Sequence, residues 1–91
     1  MEYKNFKEAT IENKDLCSTI AMEECAELIQ AISKAKRGKL DLDNISEEIA
    51  DVLICIEWII DIYNIDKLYI QEWRNRKEKR IVERLNKNDF K

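Results

Sequence analysis

Apolar residues recur at helical spacing along almost the whole chain, and only a few positions interrupt this pattern. Gly38 follows a short cationic run, an arrangement typical of the end of a helix. Asn44, with Glu47 three residues later, predicts the start of another helix, and Asp66 is expected to cap the last one. We therefore predict four helices, at about residues 4–13, 15–36, 45–63 and 67–86.

The composition excludes folds that depend on many tight turns. The 91 residues include one Gly, no Pro and no His, whereas sandwiches, barrels and dinucleotide-binding folds need turn residues at short intervals. We predict an all-α four-helix bundle that forms a single domain over residues 1–91. A chain of this length buries on folding only about 60–65% of the surface that its unfolded state exposes, so its fold is marginally stable. Such chains commonly gain stability by assembling with further copies.

The second predicted helix is apolar over nearly half of its circumference, which is more than three other thin helices can cover. We therefore expect a homo-oligomer, either a homodimer or a homotetramer. The apolar positions of this helix are Met22, Cys25, Ala26, Leu28, Ile29 and Ile32.

The cysteines and the apolar runs indicate a cytoplasmic location. Cys17, Cys25 and Cys55 are odd in number and show no metal-binding spacing, so we interpret them as reduced core residues. Residues 1–14 contain no apolar segment typical of a signal peptide. The longest apolar stretch, residues 52–62, is much shorter than the roughly 20 residues that span a bilayer.

Charge is distributed unevenly along the chain. Residues 1–66 carry fifteen acidic and seven basic side chains, whereas residues 67–91 carry four acidic and nine basic ones. A basic tail can bind nucleic acid, but the net charge of −3 and the lack of a DNA-binding motif make that partner unfavoured.

Two carboxylate pairs stand at the same spacing on neighbouring predicted helices. Glu24 and Glu27 lie about 60° apart on one helix face, and Glu48 and Asp51 do the same on the next helix. A solvated acidic face is the general expectation for such clusters. However, the residues that follow Glu48 and Asp51 on the same face of their helix are apolar, so we expect these two carboxylates to face the interior of the protein. Carboxylates in that setting need a positive partner.

A divalent cation would supply that positive charge. Four carboxylates without His or thiolate ligands suit Mg²⁺ or Mn²⁺. A di-iron centre of the helical-bundle type needs Glu-x-x-His pairs, and this chain has no His. Because Mg²⁺ keeps water ligands and favours substrate phosphates, the pattern indicates chemistry on a phosphate ester or phosphoanhydride.

The acidic residues and their neighbours resemble those of a known family. The pattern Glu23-Glu24-x-x-Glu27, followed after twenty residues by Glu48-x-x-Asp51, is similar to the bipartite motif of the MazG-like nucleotide pyrophosphohydrolases. These form the all-α NTP pyrophosphatase superfamily, and the short phage and Gram-positive type is the most similar in length. The likeness covers roughly residues 15–86. It implies Mg²⁺-dependent hydrolysis of a nucleoside triphosphate, in particular a deoxy or non-canonical nucleotide, to the monophosphate and pyrophosphate.

The resemblance also implies roles for individual residues. Glu24 or Glu27 would activate the attacking water. Glu23 would orient one of the metal-binding carboxylates without binding the metal itself. Lys34, Lys77 and Arg80 would meet the substrate phosphates, although each of these cations also fits a solvated surface. The implied metal ligands are Glu24, Glu27, Glu48 and Asp51.

Two alternative functions remain open from the sequence. One is a catalytically silent helical module that uses its apolar faces to bind a partner, and the other is a helical bundle that binds nucleic acid through the basic tail. Trp58 and Trp73 can stack on a nucleobase, but we favour a core position for each.

Overall fold

The computed structural model describes residues 2–88. Over that range the chain forms four α-helices and no strand, so the all-α prediction is confirmed. The helices are α1 (Phe6–Ile11), α2 (Lys14–Lys36), α3 (Leu42–Tyr63) and α4 (Lys67–Asn86).

The first and last helices begin at side-chain caps. The Asn5 side chain accepts a hydrogen bond from the backbone N–H of Glu8 at 2.8 Å, so α1 begins later and is shorter than we predicted. The Asp66 carboxylate accepts one from the N–H of Leu68 at 2.9 Å, and the cap predicted for α4 is confirmed.

The predicted start of α3 is wrong by three residues. The N-cap is Asp41 and not Asn44, because Asp41 has extended backbone dihedrals and its carboxylate accepts from the N–H of Asn44 at 3.0 Å. An ionised carboxylate at this position also interacts favourably with the positive end of the helix dipole. The loop between α2 and α3 is therefore short and holds these two helices side by side.

Gly38 ends α2 as predicted. Its φ of 84° lies in the left-handed region, and the backbone N–H groups of Gly38 and Lys39 donate to the carbonyls of Ala35 and Lys34 at 3.1 and 2.9 Å. This hydrogen-bond pair is the Schellman motif, which satisfies the last carbonyls of a helix.

We expect Gly38→Ala to lower the free energy of unfolding by about 1 kcal/mol, because a Cβ atom is disfavoured at positive φ. The added methyl group would meet no atom within 4 Å, so the cost comes from the backbone alone. Urea denaturation measures it. Gly38→Asn is the matched control and should cost less, since Asn tolerates this region. Equal stability of the Ala variant and the parent would contradict the prediction.

The core lies between α2 and α3, which pack against each other along their length, with α1 over one side of the pair. It consists of small residues, so few large side chains are removed from water. By contrast, α4 makes at most a marginal contact with any other helix, and none of its described side chains is buried. Within residues 2–88 the buried residues are Thr10, Cys17, Ala21, Ala31 and Cys55.

None of the helices within residues 2–88 is long and apolar enough to cross a membrane.

Candidate metal centre

Three carboxylates converge where α2 and α3 pack together. Glu24 lies on α2, while Glu48 and Asp51 lie one turn apart on α3, and one oxygen from each falls within 4.8 Å of the others. All three side chains are half-buried. We call these three residues the acid cluster. The inward position expected for Glu48 and Asp51 is therefore present in the fold.

The environment of Glu24 and Glu48 raises the pKa of both carboxyl groups. Burial raises the pKa of Glu24, and the negative charge of Asp51, a hydrogen bond with it and the charges of Glu48 and Glu27 raise it further. Burial also raises the pKa of Glu48, together with the charges of Asp51, Glu27 and Glu47. Every charged neighbour in these two sets is an acid, so both carboxylates are held in a site of strong negative potential.

The acid cluster fits a hard divalent cation. The Oε2 atom of Glu48 is buried and has no hydrogen-bond partner in the structure, although a buried acceptor normally has one. Carboxylate oxygens that converge on one point are the ligands that Mg²⁺ and Mn²⁺ prefer. A cation bound between Glu24, Glu48 and Asp51 would satisfy this oxygen and reduce the repulsion.

The other two acids of the motif lie at the edge of the site. Glu27 is exposed and falls outside the group of three oxygens, but its charge acts on both Glu24 and Glu48. Glu23 is also exposed. The structure thus brings three of the four predicted ligands together, with Glu27 beside them.

The predicted phosphate-binding cations are not next to the acid cluster within one chain. Lys34 stands in the last turn of α2, about 15 Å along the helix axis from Glu24. Lys77 and Arg80 lie on the exposed α4, where the Lys77 ammonium is 5.9 Å from the centre of the Trp73 ring. Within a single chain, the acid cluster therefore lies apart from the three cations predicted to bind the substrate phosphates.

The cysteines divide into two groups, and all three are free. Cys17 and Cys55 are buried as predicted, and burial raises the pKa of each thiol. The charges of Glu24 and Asp51 also raise the pKa of the Cys55 thiol, so this thiol lies near the acid cluster. Cys25 is exposed, so its assignment to the core was wrong. It lines an open groove between α2 and α3 together with Ala21 and Val52.

An aromatic cleft lies on the same side of the α2/α3 pair as α1. The rings of Phe6 and Trp58 are nearly parallel, with 17° between their planes and 6.4 Å between their centres. The amide of Asn13 donates to the hydroxyl of Tyr3 at 3.2 Å and to the carbonyl of Ala9 at 2.8 Å. The cleft has a volume of about 390 Å³ and includes all five of these residues.

This cleft was not predicted from the sequence. Asn13 stands at the end of the first predicted helix, and neither it nor Phe6 was singled out as a candidate functional residue. The available signal was that Trp58 lies seven residues after Asp51, on the same face of α3.

Residues 2–88 are thus all-helical, and two adjacent helices hold three converging carboxylates. Residues 12–85 match the MazG nucleotide pyrophosphohydrolase domain, so the chain belongs to that family. The match includes the acid cluster and all of α2, α3 and most of α4. Neither a curated protein nor a solved structure matches the chain significantly.

Proposed function

We propose that this protein hydrolyses a nucleoside triphosphate to the monophosphate and pyrophosphate in a reaction that depends on Mg²⁺ or Mn²⁺. The acid cluster is the observation that carries the proposal, and membership of the MazG nucleotide pyrophosphohydrolase family supports it. A deoxy or non-canonical nucleotide is the substrate we favour. The repulsion within the cluster is a cost to the fold that a cation-dependent activity explains and that a silent binding module does not.

In this proposal Glu24, Glu48 and Asp51 would hold the cation through their carboxylate oxygens. When bound, the cation would polarise the phosphoanhydride and lower the pKa of a coordinated water. Glu27 suits the role of general base better than Glu24, because Glu24 is one of the three residues that would hold the cation. Glu27 is exposed at the rim, where its carboxylate can accept a proton from the attacking water.

The aromatic cleft is the place we propose for the nucleobase. Cys17 precedes Glu24 by seven residues and Trp58 follows Asp51 by seven, so the cleft lies two turns, or about 10 Å, from the acid cluster. A base stacked on Trp58 would direct its phosphates along the α2/α3 pair toward the carboxylates.

We expect the fluorescence of Trp58 to report this binding. In a Trp73→Phe background, with Mg²⁺ present, an α,β-imido nucleoside triphosphate should quench the remaining tryptophan because the base contacts its ring. Inorganic triphosphate is the control without a base and should leave the emission unchanged. Equal quenching by both compounds, or quenching by neither, would argue against a base in this cleft.

A panel of canonical and non-canonical nucleoside triphosphates, assayed for pyrophosphate release with Mg²⁺ or Mn²⁺, tests the proposed activity directly. Hydrolysis that chelation stops and that yields monophosphate would support it. If no nucleotide in the panel is cleaved, the silent interaction module becomes the better interpretation. Salt-dependent binding to a DNA duplex would instead favour the nucleic-acid-binding alternative.

A further inference from the structure

Asn13 does not use its side chain in the way usual for an Asn at the start of a helix. It is the N-cap residue of α2, but its side chain makes no capping hydrogen bond to that helix, although such a bond is what favours Asn at this position. The amide nitrogen donates instead to the carbonyl of Ala9 at 2.8 Å and to the hydroxyl of Tyr3 at 3.2 Å. All three residues line the aromatic cleft.

These two hydrogen bonds fix which way the Asn13 amide faces. A backbone carbonyl only accepts, so the nitrogen of the amide, and not its oxygen, must face Ala9. Both amide hydrogens are then in use, and within residues 2–88 no donor meets Oδ1 of Asn13. The Tyr3 hydroxyl accepts from Asn13, and over the same range no group accepts the hydrogen of that hydroxyl. The cleft therefore holds an acceptor and a donor next to each other, each available to a ligand.

The rest of the cleft offers few partners to a polar ligand. Thr10 is buried, and its hydroxyl donates to the carbonyl of Phe6 at 2.9 Å. The remaining side chains of the lining are apolar or aromatic, apart from the Cys17 thiol, which is a weak hydrogen-bonding group. A ligand in the cleft would therefore find its strong hydrogen-bonding partners in Oδ1 of Asn13 and the hydroxyl of Tyr3.

An acceptor beside a donor complements a base edge in which an N–H group stands next to a carbonyl. Uracil, thymine, hypoxanthine and guanine have this lactam edge, whereas cytosine and adenine carry an amino group next to a ring nitrogen. The lactam N–H would donate to Asn13, and the lactam carbonyl would accept from Tyr3. An amino base can make two similar contacts, but the second hydrogen of its amino group would then face apolar side chains. An N–H group buried without a partner is costly.

We propose that Asn13 and Tyr3 select a lactam base in the aromatic cleft, so that the site distinguishes uracil from cytosine and hypoxanthine from adenine. The members of each pair differ by the exchange of an amino group for a carbonyl oxygen, which is the change that deamination makes. The selection rests on the place proposed above for the nucleobase, and it names the class of substrate. Deoxynucleotides of uracil and hypoxanthine are non-canonical, in agreement with the substrate favoured above.

Binding of nucleotides that cannot be cleaved between the α- and β-phosphates measures the selection without turnover. Isothermal titration calorimetry with Mg²⁺ compares the α,β-imido triphosphates of deoxyuridine and deoxycytidine. The parent protein should bind the deoxyuridine compound about 10-fold more tightly, which is the effect expected when one polar group is left without a partner. The corresponding compounds of deoxyinosine and deoxyadenosine should differ in the same direction.

Two variants remove the hydrogen-bonding groups and keep the aromatic surface. Tyr3→Phe lacks only the hydroxyl, and Asn13→Leu replaces the amide with an apolar side chain of similar size. Each should reduce the preference for deoxyuridine to about 2-fold or less. A variant that only distorts the cleft would weaken both compounds equally and keep their ratio. Tyr63→Phe is the matched control, since Tyr63 is exposed at the end of α3 and does not line the cleft. It should leave the preference unchanged.

Equal affinity of the parent for the two pyrimidine compounds, or a preference that either variant leaves unchanged, would overturn the selection by Asn13 and Tyr3. If the parent binds none of the four compounds, recognition of a base in this cleft is overturned as well. Pyrophosphate release from the nucleotide panel decides the proposed activity separately. Hydrolysis of the deoxyuridine and deoxycytidine triphosphates with equal kcat/KM would support the activity and contradict the selection.

Discussion

We expect Glu48→Gln to lower pyrophosphate release by more than about 100-fold, which exceeds the effect usual for loss of a supporting residue around a metal. The substitution keeps the shape of the side chain and removes one anionic ligand. Mg²⁺ should raise the melting temperature of the parent protein, because a ligand that binds only the folded state stabilises it, and should not raise that of the variant. Thermal melts with a chelator and with Mg²⁺ measure this difference.

The same substitution should raise the melting temperature in chelator. Glu48 lies beside Asp51 and Glu27, and its buried Oε2 has no hydrogen-bond partner. A Gln side chain removes the repulsion, and its amide can donate to a neighbouring carboxylate. Glu47→Gln is the matched control, since Glu47 is the adjacent residue and is exposed. It should change metal response and activity little. Unchanged stabilisation of Glu48→Gln by Mg²⁺ would remove Glu48 from the site.

The stability of the metal-free parent protein should also fall as the pH rises. The pKa values of Glu24 and Glu48 are raised in the folded protein. The folded state therefore binds protons more tightly than the unfolded state at pH values between the ordinary and the raised pKa. Their contribution to stability is therefore complete below the ordinary carboxyl pKa of about 4.3 and is lost as pH rises through the raised values. Glu48→Gln should show a smaller dependence in the same melts.

Helical periodicity made much of the acid cluster predictable. Residues three apart share a face of any α-helix, so the sequence alone paired Glu48 with Asp51 and Glu24 with Glu27. The sequence could not show whether Glu24 or Glu27 would lie at the contact with α3. Glu24 lies at the contact between the helices, whereas Glu27, rotated by about 60°, remains exposed. That distinction depends on how α2 and α3 are rotated about their axes, which side-chain packing decides.

The helix ends show the same limit. Asp41 and Asn44 are both good N-cap residues, and they stand three positions apart. The spacing rule selected Asn44 because of Glu47, but the chain after Gly38 adopts an extended backbone at Asp41 and begins α3 there. The direction of α4 was still less accessible to sequence reasoning. Its amphipathic pattern predicts that it packs on something, but the pattern does not say whether the surface belongs to the same chain.

We expect Ile56→Asp to prevent assembly of the protein and, with it, nucleotide hydrolysis. Ile56 lines a groove of about 230 Å³ between α2, α3 and the start of α4, which we call the apolar groove. Ile56 is 48% exposed in the single chain, so a charge there does not disturb the core of the monomer. In an assembly that covers the groove, the carboxylate would be buried without a partner, at a cost of several kcal/mol. A loss of about 3 kcal/mol weakens association more than about 100-fold.

Light scattering at micromolar concentration distinguishes the outcomes, and circular dichroism shows whether the helices remain. The matched control is Ile54→Asp, because Ile54 is 43% exposed but points about 160° away from Ile56 around α3. It should remain assembled and active. A monomeric Ile56→Asp variant with intact helices would show that the apolar groove is the surface through which copies associate. If Ile56→Asp instead assembles and hydrolyses nucleotide as the parent does, the groove is not that surface, and the exposed residues of α4 must be covered elsewhere.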